Sequence, residues 1–459
     1  MKLDIPKKWK QLELGQLLQF VTGGDWGKDE AFVDEKYDFA YCIRGSEIKK
    51  WEEEKGRTAS LRKIKKSSIE SRKLKEGDIL VEISGGGPEQ PVGRTVLIDK
   101  AVLAFAPKIP KICTNFLRLI RPNDDVNSKY LNFYLKLHYT SGDIVNFQAG
   151  SNNLRNLKFP DYVKILVPLP PLTEQQAIVS KIEQLLSELD KGKHQLEAAQ
   201  QQLKVYRQSL LKWAFEGKLT NKDVKEGELP KGWKWVQLNE VVEKISDGPF
   251  GSNLKSIDYV SEGVRVIRLE NIGEMKFRDE YKTFVTTEKY QSLKNHTVRH
   301  GDIIFSSFIA ETIRSVILPE YIDIAINKAD CFLVRAADTI INKKYLAYFF
   351  STKAMQYQLV NQIHGATRPR INTTQLKASI IPLPPLKEQH LIVQELESKL
   401  TVCDKIEETI AKSLQQAETL RQSILKRAFE GKLISVAAEQ QTVYSNINIL
   451  TNNSSVGAI

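Results

Sequence analysis

The chain of 459 residues carries 67 basic against 56 acidic side chains, a net charge of +11 at pH 7, and 41% of its residues are hydrophobic. That length exceeds one ordinary core and implies two or more domains, while no apolar run approaches the 18 residues of a membrane-spanning helix. The opening MKLDIPKKWK lacks the apolar stretch of a secretory signal, and Cys42, Cys113, Cys331 and Cys403 form no CxxC pair, so a cytoplasmic protein with reduced thiols and no zinc ligation is expected.

In chain order, IPKKWK with Pro6 and Trp9 reads as an extended entry segment that anchors a globular unit over residues 1–167. Within it YCIRGSEI, DILVEIS and RTVLI alternate β-branched and turn residues, the pattern of strands, and Lys129 to Leu137 reads as a short helix. Arg44 lies on the first of these strands. From Lys55 to Lys75 there are nine basic residues, Lys63 among them, against the single acid Glu70. A solvated face and a phosphate-contacting face weigh equally there. The glycine-rich stretch from Ser84 to Arg94, with Gly86 and Gln90, lies between strands, where glycines permit close approach to a phosphate or groove. A ligand-free hairpin is the alternative. A second loop, Gln148 to Arg155, carries Asn152 and Asn153, chemically apt to read adenine.

Residues 168–220 then open with PLPPL and run about 44 residues to Gly217, the expected course of a helix roughly 65 Å long. Ile178, Ile182, Leu185, Leu189, Gly192, Leu196, Ala199, Leu203, Tyr206, Leu210 and Trp213 recur at steps of four and three, a heptad stripe.

Residues 221–381 repeat the globular plan. LPKGWK, with Pro230 and Trp233, matches IPKKWK at an offset of 224, as do Arg268 with Arg44 and Gly301-Asp302-Ile303 with Gly77-Asp78-Ile79. Strands are expected at VRVIRL, DIIFSSF and RSVILP, and short helices between Lys343 and Gln358. In place of the glycine-rich loop stand Ser307, Thr312 and Arg314, and the loop before the next Pro-rich motif holds Thr367, Arg368 and Arg370, arginine being apt to read guanine. Because Arg44 and Arg268 match, they cannot distinguish two half-sites; phosphate contact or a structural ion pair is expected of them.

Residues 382–434 repeat the helix without a gap at an offset of 214, with 26 identities in 52 positions. Its stripe includes Ile406, Ile410, Leu420 and Ile424 but is interrupted by Lys399, Ser413 and Arg427. Neither helix can bury its stripe alone, so each is expected to pair with the other, with Arg207 and Arg421 at matching positions beside the seam. The stripe residues Leu189, Leu196, Leu203, Tyr206 and Leu210 belong to the same expected pairing and docking surface. The Asn-, Ser- and Thr-rich residues 435–459 read as a loose tail.

Divided along the chain, the excess charge is +7 over residues 1–171 and +4 over 221–385, so it lies in the globular units. That suits a polyanion such as DNA, with general solubility the alternative.

The stretch Asp247-Gly-Pro-Phe-Gly-Ser-Asn253-Leu-Lys255, the run Gly263 to Ile272, the GDI turns and the two PLPPL…AFEGKL helices together resemble the specificity (S) subunit of type I restriction-modification systems. The resemblance covers nearly the whole chain to about Leu433. It implies an α+β fold of two target recognition domains in tandem, each followed by a long helix, the helices pairing as an antiparallel coiled coil. It also implies that each domain reads one half of a split double-stranded DNA target through residues such as Asn253, and that two modification (methyltransferase) subunits dock on the helices. Those partners would hold S-adenosylmethionine, and restriction/translocase subunits would hold ATP and Mg, with no cofactor bound by this chain.

Catalytic constellations are missing from the sequence. Asp78 and Glu82 suggest a nuclease carboxylate pair, but Ser84 stands where a lysine is needed and Ser306 replaces Glu82 in the second copy. No amino-methyltransferase motif is present, and Gly217-Lys218 follows a helix without the upstream glycine of a phosphate loop. A self-contained DNA-modifying enzyme and a coiled-coil protein scaffold are the rival readings.

Overall fold

The computed structural model describes residues 3–87, 90–150, 155–221, 223–225, 227–309, 312–361 and 369–433. The expected 435–459 tail therefore lies outside the described residues. Two helices of 44 residues, Leu172–Phe215 and Leu386–Phe429, dominate the element order. The chain divides into two compact units, residues 1–196 with 411–459 and residues 197–410, so both long helices pass from one unit to the other. Each unit thus holds one globular head, the start of the helix that follows it and the end of the other helix.

The first head is built on an antiparallel sheet ordered Leu18–Gly23, Leu117–Pro122, Ile79–Glu82 and Thr95–Leu97. A second sheet sets Tyr37–Ile43 between Ser60–Lys65 and Lys111–Cys113. The second head repeats both. Val242–Ser246, Cys331–Ala336, Ile303–Ser306 and Ser315–Ile317 form the antiparallel sheet, and Val264–Ile267 and Ala325–Asn327 run parallel at the centre of the other. The expected strands are found in part: YCIRGSEI is strand only to Ile43 and VRVIRL only to Ile267, each running on into a 3-10 turn, Gly45–Lys50 and Leu269–Asn271, so that Arg44 and Arg268, expected on strands, instead stand at the starts of these turns. The helix expected near Lys129 spans Ser128–Thr140, and that expected from Lys343 to Gln358 is two helices, Lys343–Phe350 and Lys353–Val360, divided where the Thr352 side chain caps the second.

The GDI turn is explained by burial. Asp78 is wholly buried and takes the Nε and Nη2 of Arg121 at 2.6 and 2.8 Å and the Lys75 amide at 2.7 Å. Asp302 does the same with Arg335 at 2.8 and 2.7 Å and the Arg299 amide at 2.9 Å. Each pair ties the turn to the neighbouring strand, and full hydrogen bonding is what allows a carboxylate to sit in a core.

The Pro-rich motif is a joint, built identically in both units. Tyr130 and Tyr345 donate to the carbonyls of Pro168 and Pro382 at 2.7 and 2.8 Å. Gln175 accepts the Asn127 amide at 2.8 Å and donates to the Pro170 carbonyl at 2.9 Å, and Gln389 does likewise with Asn342 and Pro384 at 2.7 and 2.9 Å. Glu174 and Glu388, in the first helical turn where a negative charge favours the helix dipole, accept the indole N–H of Trp9 and Trp233 at 3.2 and 3.0 Å. The same tryptophans meet the helix ends: a Cβ on Gly431 would fall 2.5 Å from Pro6 and one on Gly217 2.2 Å from Pro230, both at positive φ. Glycine is required there, as the motif AFEGKL implies.

Within each unit the helices run antiparallel. In one, Asp190 pairs with Arg421; in the other, Arg207 pairs with Asp404 at 2.6 Å and Glu407 at 3.1 Å. Leu203, Leu210, Ile410 and Ile424 are buried, and Leu189, Leu196 and Leu420 half-buried, as the heptad stripe implies. Tyr206 and Ile406, expected in the seam, are instead 42% and 44% exposed. A two-helix seam covers only a narrow arc of each helix, so stripe positions at its margin turn outward. The polar interruptions stay within the stripe: Ser413 is buried and Lys399 and Arg427 are half-buried.

Candidate nucleic-acid interface

In the first head the two loops singled out by sequence lie side by side. Arg155–Leu157 pairs with both Ser84–Gly86 and Gln148–Ala149, placing Arg155 opposite Gly86. The Gln148 amide fastens them, accepting the Val92 amide at 3.0 Å and donating to the carbonyls of Val92 and Ile144 at 3.0 Å. Gly86 is buried, and a Cβ there would fall 2.4 Å from the Gln90 carbonyl, so this glycine closes a tight turn; Gln90 is exposed. Asn152 and Asn153 lie outside the described residues.

The cations around this sheet differ in what holds them. Arg94 donates its Nε to buried Glu82 at 2.8 Å and its Nη2 to the Gly45 carbonyl at 3.4 Å, and the bond to Glu82 raises its pKa. Arg44 donates to Glu47 at 2.9 Å and to the Thr58 carbonyl at 3.2 Å, an ion pair that still leaves 40% of its side chain exposed. Lys63 stands over the Phe39 ring at 3.6 Å on the strand Ser60–Lys65.

The second head repeats the frame with other side chains. Phe308 bridges to Arg370 as Ser84 pairs with Asn156. Arg314 reaches the Leu269 carbonyl at 3.4 Å, as Arg94 reaches Gly45, but Ser306 at 3.3 Å replaces the carboxylate, and among the described residues Arg314 has no ion pair. Arg268 bonds Glu270 at 2.7 Å and Thr283 at 3.4 Å. Asn253 is exposed on the loop after Ser246. Thr367 and Arg368 lie outside the described residues.

Ser307 is not available to a ligand: it is wholly buried, and its hydroxyl donates to Asp330 at 2.9 Å. It follows a strand whose four residues are all buried, and its hydroxyl and amide both bond Asp330, which the sequence of the loop did not reveal. Asp330 is a residue that sequence reasoning missed. At φ 68° it joins three segments, accepting from Ser307, from Arg370 Nη1 at 3.2 Å, and donating its own amide to Asp247 at 2.9 Å. Burial raises the pKa of Asp247, an effect to which the Asp330 charge adds.

Among the described residues there is no group of His, Cys, Asp or Glu side chains placed to hold a metal ion, and the four cysteines are free and buried. No described helix is long and apolar enough to cross a membrane. The arrangement offers two similar frames with unlike polar and basic loops.

The model of the type I restriction modification DNA specificity domain matches residues 6–198 and again 230–416. The chain belongs to this family. It carries two DNA specificity domains in tandem and is a recognition subunit, not a catalytic one. It is 24% identical over 443 residues to the EcoKI specificity subunit of Escherichia coli K12, covering 94% of this chain and 90% of that one. To the Escherichia coli EcoBI specificity subunit it is 30% identical over 300 residues, spanning 63% of each. Among solved structures, a chain from work on assembly and conformational transition of the type I restriction-modification system superposes with a TM-score of 0.71 at 20% identity, over 94% of this chain and all of the other. The Thermoanaerobacter tengcongensis specificity subunit gives 0.58 at 20% identity, over 93% and 98%. These likenesses establish the fold.

Proposed function

We propose that the head before Pro168 reads one half of an asymmetric, two-part DNA target and the head before Pro382 the other. The reading directs adenine methylation and restriction carried out by partner subunits in the cytoplasm. One observation carries this: the two heads share a frame down to the Asp78–Arg121 and Asp302–Arg335 pairs, yet present different groups at the same places, Glu82 with Arg94 against Ser306 with Arg314. Common frame with unlike loops is what two unlike half-sites require, whereas symmetric dimers read identical halves. The DNA-contact set comprises Arg44, Lys63, Gly86 through its backbone, Gln90, Arg94 and Arg155 in the first head, with Asn253, Arg268, Arg314 and Arg370 in the second.

Two modification subunits, holding S-adenosylmethionine, dock on the long helices, and restriction/translocase subunits supply ATP- and Mg-dependent steps. Tyr206 and Ile406, outward on the helices, support docking there. The test replaces residues 10–160 with the equivalent part of a relative and maps methylated adenines in cells carrying the whole system. Only one half of the methylated motif changes; a change in both halves refutes the assignment.

A further inference from the structure

The loop that follows the first strand of the four-stranded sheet is built alike in both heads. After Leu18–Gly23 comes Gly24-Asp25-Trp26-Gly27, and after Val242–Ser246, at the offset of 224, comes Gly248-Pro249-Phe250-Gly251. The leading glycine has no room for a side chain in either copy: a Cβ would fall 2.1 Å from the Cys113 carbonyl oxygen at Gly24 and 2.2 Å from the Lys328 carbonyl carbon at Gly248. The chain is thereby pressed against the same point of the second sheet and turns an aromatic residue outward. Phe250 is 70% exposed and Trp26 37%.

Both loops are tied to the surfaces described above. Trp26 lies 4.4 Å beneath the Arg62 guanidinium and accepts its Nε at the backbone carbonyl at 3.1 Å, while Lys28 and Lys63 exchange amide bonds at 2.8 and 3.0 Å, which joins the loop to the basic strand. In the second head Asp247, at the loop's start, takes the amide of Asp330, the residue that holds Arg370. Around Phe250 stand exposed Gly251, Ser252, Asn253 and Lys255. A solvent-facing phenyl ring among small polar groups and a lysine has no internal packing role. It is suited to an apolar contact with base edges beside a phosphate-binding cation.

We propose that this loop is a DNA-contacting element of each head, with Phe250 and Trp26 as equivalent specificity-determining aromatics, each for its own half-site. The inference rests on the two-half reading given above.

The experiment uses the chain assembled with its modification subunits and fluorescent duplexes carrying the motif methylated in cells, or that motif scrambled. F250A weakens binding of the motif duplex roughly tenfold, leaves the scrambled duplex, the salt slope and the thermal midpoint unchanged, and F250W restores most of the loss. In adenine mapping, F250A and W26A relax opposite halves. Equal affinity of F250A and wild type, a loss matched by a lowered midpoint, or relaxation of the same half by both variants overturns the proposal. Failure of the wild-type complex to distinguish motif from scrambled DNA instead overturns the underlying reading.

Discussion

Replacing Asp302 with alanine tests whether the GDI carboxylate is a structural group. Its carboxylate receives two bonds from Arg335 and one from the Arg299 amide, all between 2.7 and 2.9 Å, on a side chain only 3% exposed. Removing one member of such a pair strands the other, at about 3–5 kcal/mol. Arg335 keeps 22% of its side-chain surface in water, so the lower end, about 3 kcal/mol, applies. For a unit of this size that lowers the thermal midpoint by about 6–12 °C. Scanning calorimetry of the full chain reads the shift, and the double replacement D302L/R335M, which removes both charges, recovers most of it. A D302A midpoint within about 2 °C of wild type, or a loss of DNA binding without a loss of stability, refutes the reasoning.

Two further outcomes follow from particular residues. Burial lowers the pKa of His138 to about 4, its Nδ1 has no hydrogen-bond partner among the described residues, and its ring packs against Phe147 and Tyr162 at 5.7 and 5.9 Å. The folded state therefore binds its proton less readily than the unfolded chain, so the stabilisation is complete above the unfolded value near 6.5 and is lost as pH falls from there towards 4, amounting to about 2 kcal/mol by pH 5. Urea titrations at pH 7.5 and 5 show the loss, and H138F flattens it; an unchanged pH slope in H138F refutes the assignment. On the helices, Y206E with I406E leaves the midpoint unaltered but reduces co-purification of the modification subunits, whereas L210E, at a wholly enclosed position, unfolds its unit by placing a charge in the core. Loss of stability in the first variant, or retention in the second, contradicts the exposure of these side chains.

Much of the frame was legible because it is written twice. Matching Pro-Pro openings, glycine stops and GDI turns implied the joints, and the structure supplies their reasons in Gln175 and Gln389, in Gly217 and Gly431, and in two buried ion pairs. Heptad spacing revealed the stripe but not its edges, because periodicity assigns a face without saying how wide an arc one partner covers; hence the outward Tyr206 and Ile406. The loops were least legible. A serine at a strand end faces either way, and only three-dimensional neighbours reveal that Ser307 points to Asp330, 23 residues along the chain.

The two copies agree where the chain meets itself and differ in several groups beside the candidate interface. Glu174 and Glu388 keep their tryptophans, and Tyr130 and Tyr345 their proline carbonyls, because any change there loosens a head from its helix. Glu82 and Ser306 occupy the same strand position and hold equivalent arginines, yet one supplies a full counter-charge and the other only a hydroxyl. A structural requirement common to both heads would have kept the carboxylate. Its replacement leaves the Arg314 guanidinium without a carboxylate partner among the described residues, with charge to offer a phosphate or a guanine edge, whereas the charge of Arg94 is balanced by Glu82. On the proposed two-half reading the unlike counter-charges of these equivalent arginines serve unlike half-sites, and E82S should make the first head bind DNA with less discrimination and a steeper dependence on salt. Salt titrations of the assembled complex measure that slope, and an unchanged value would show that Arg94 does not approach the DNA.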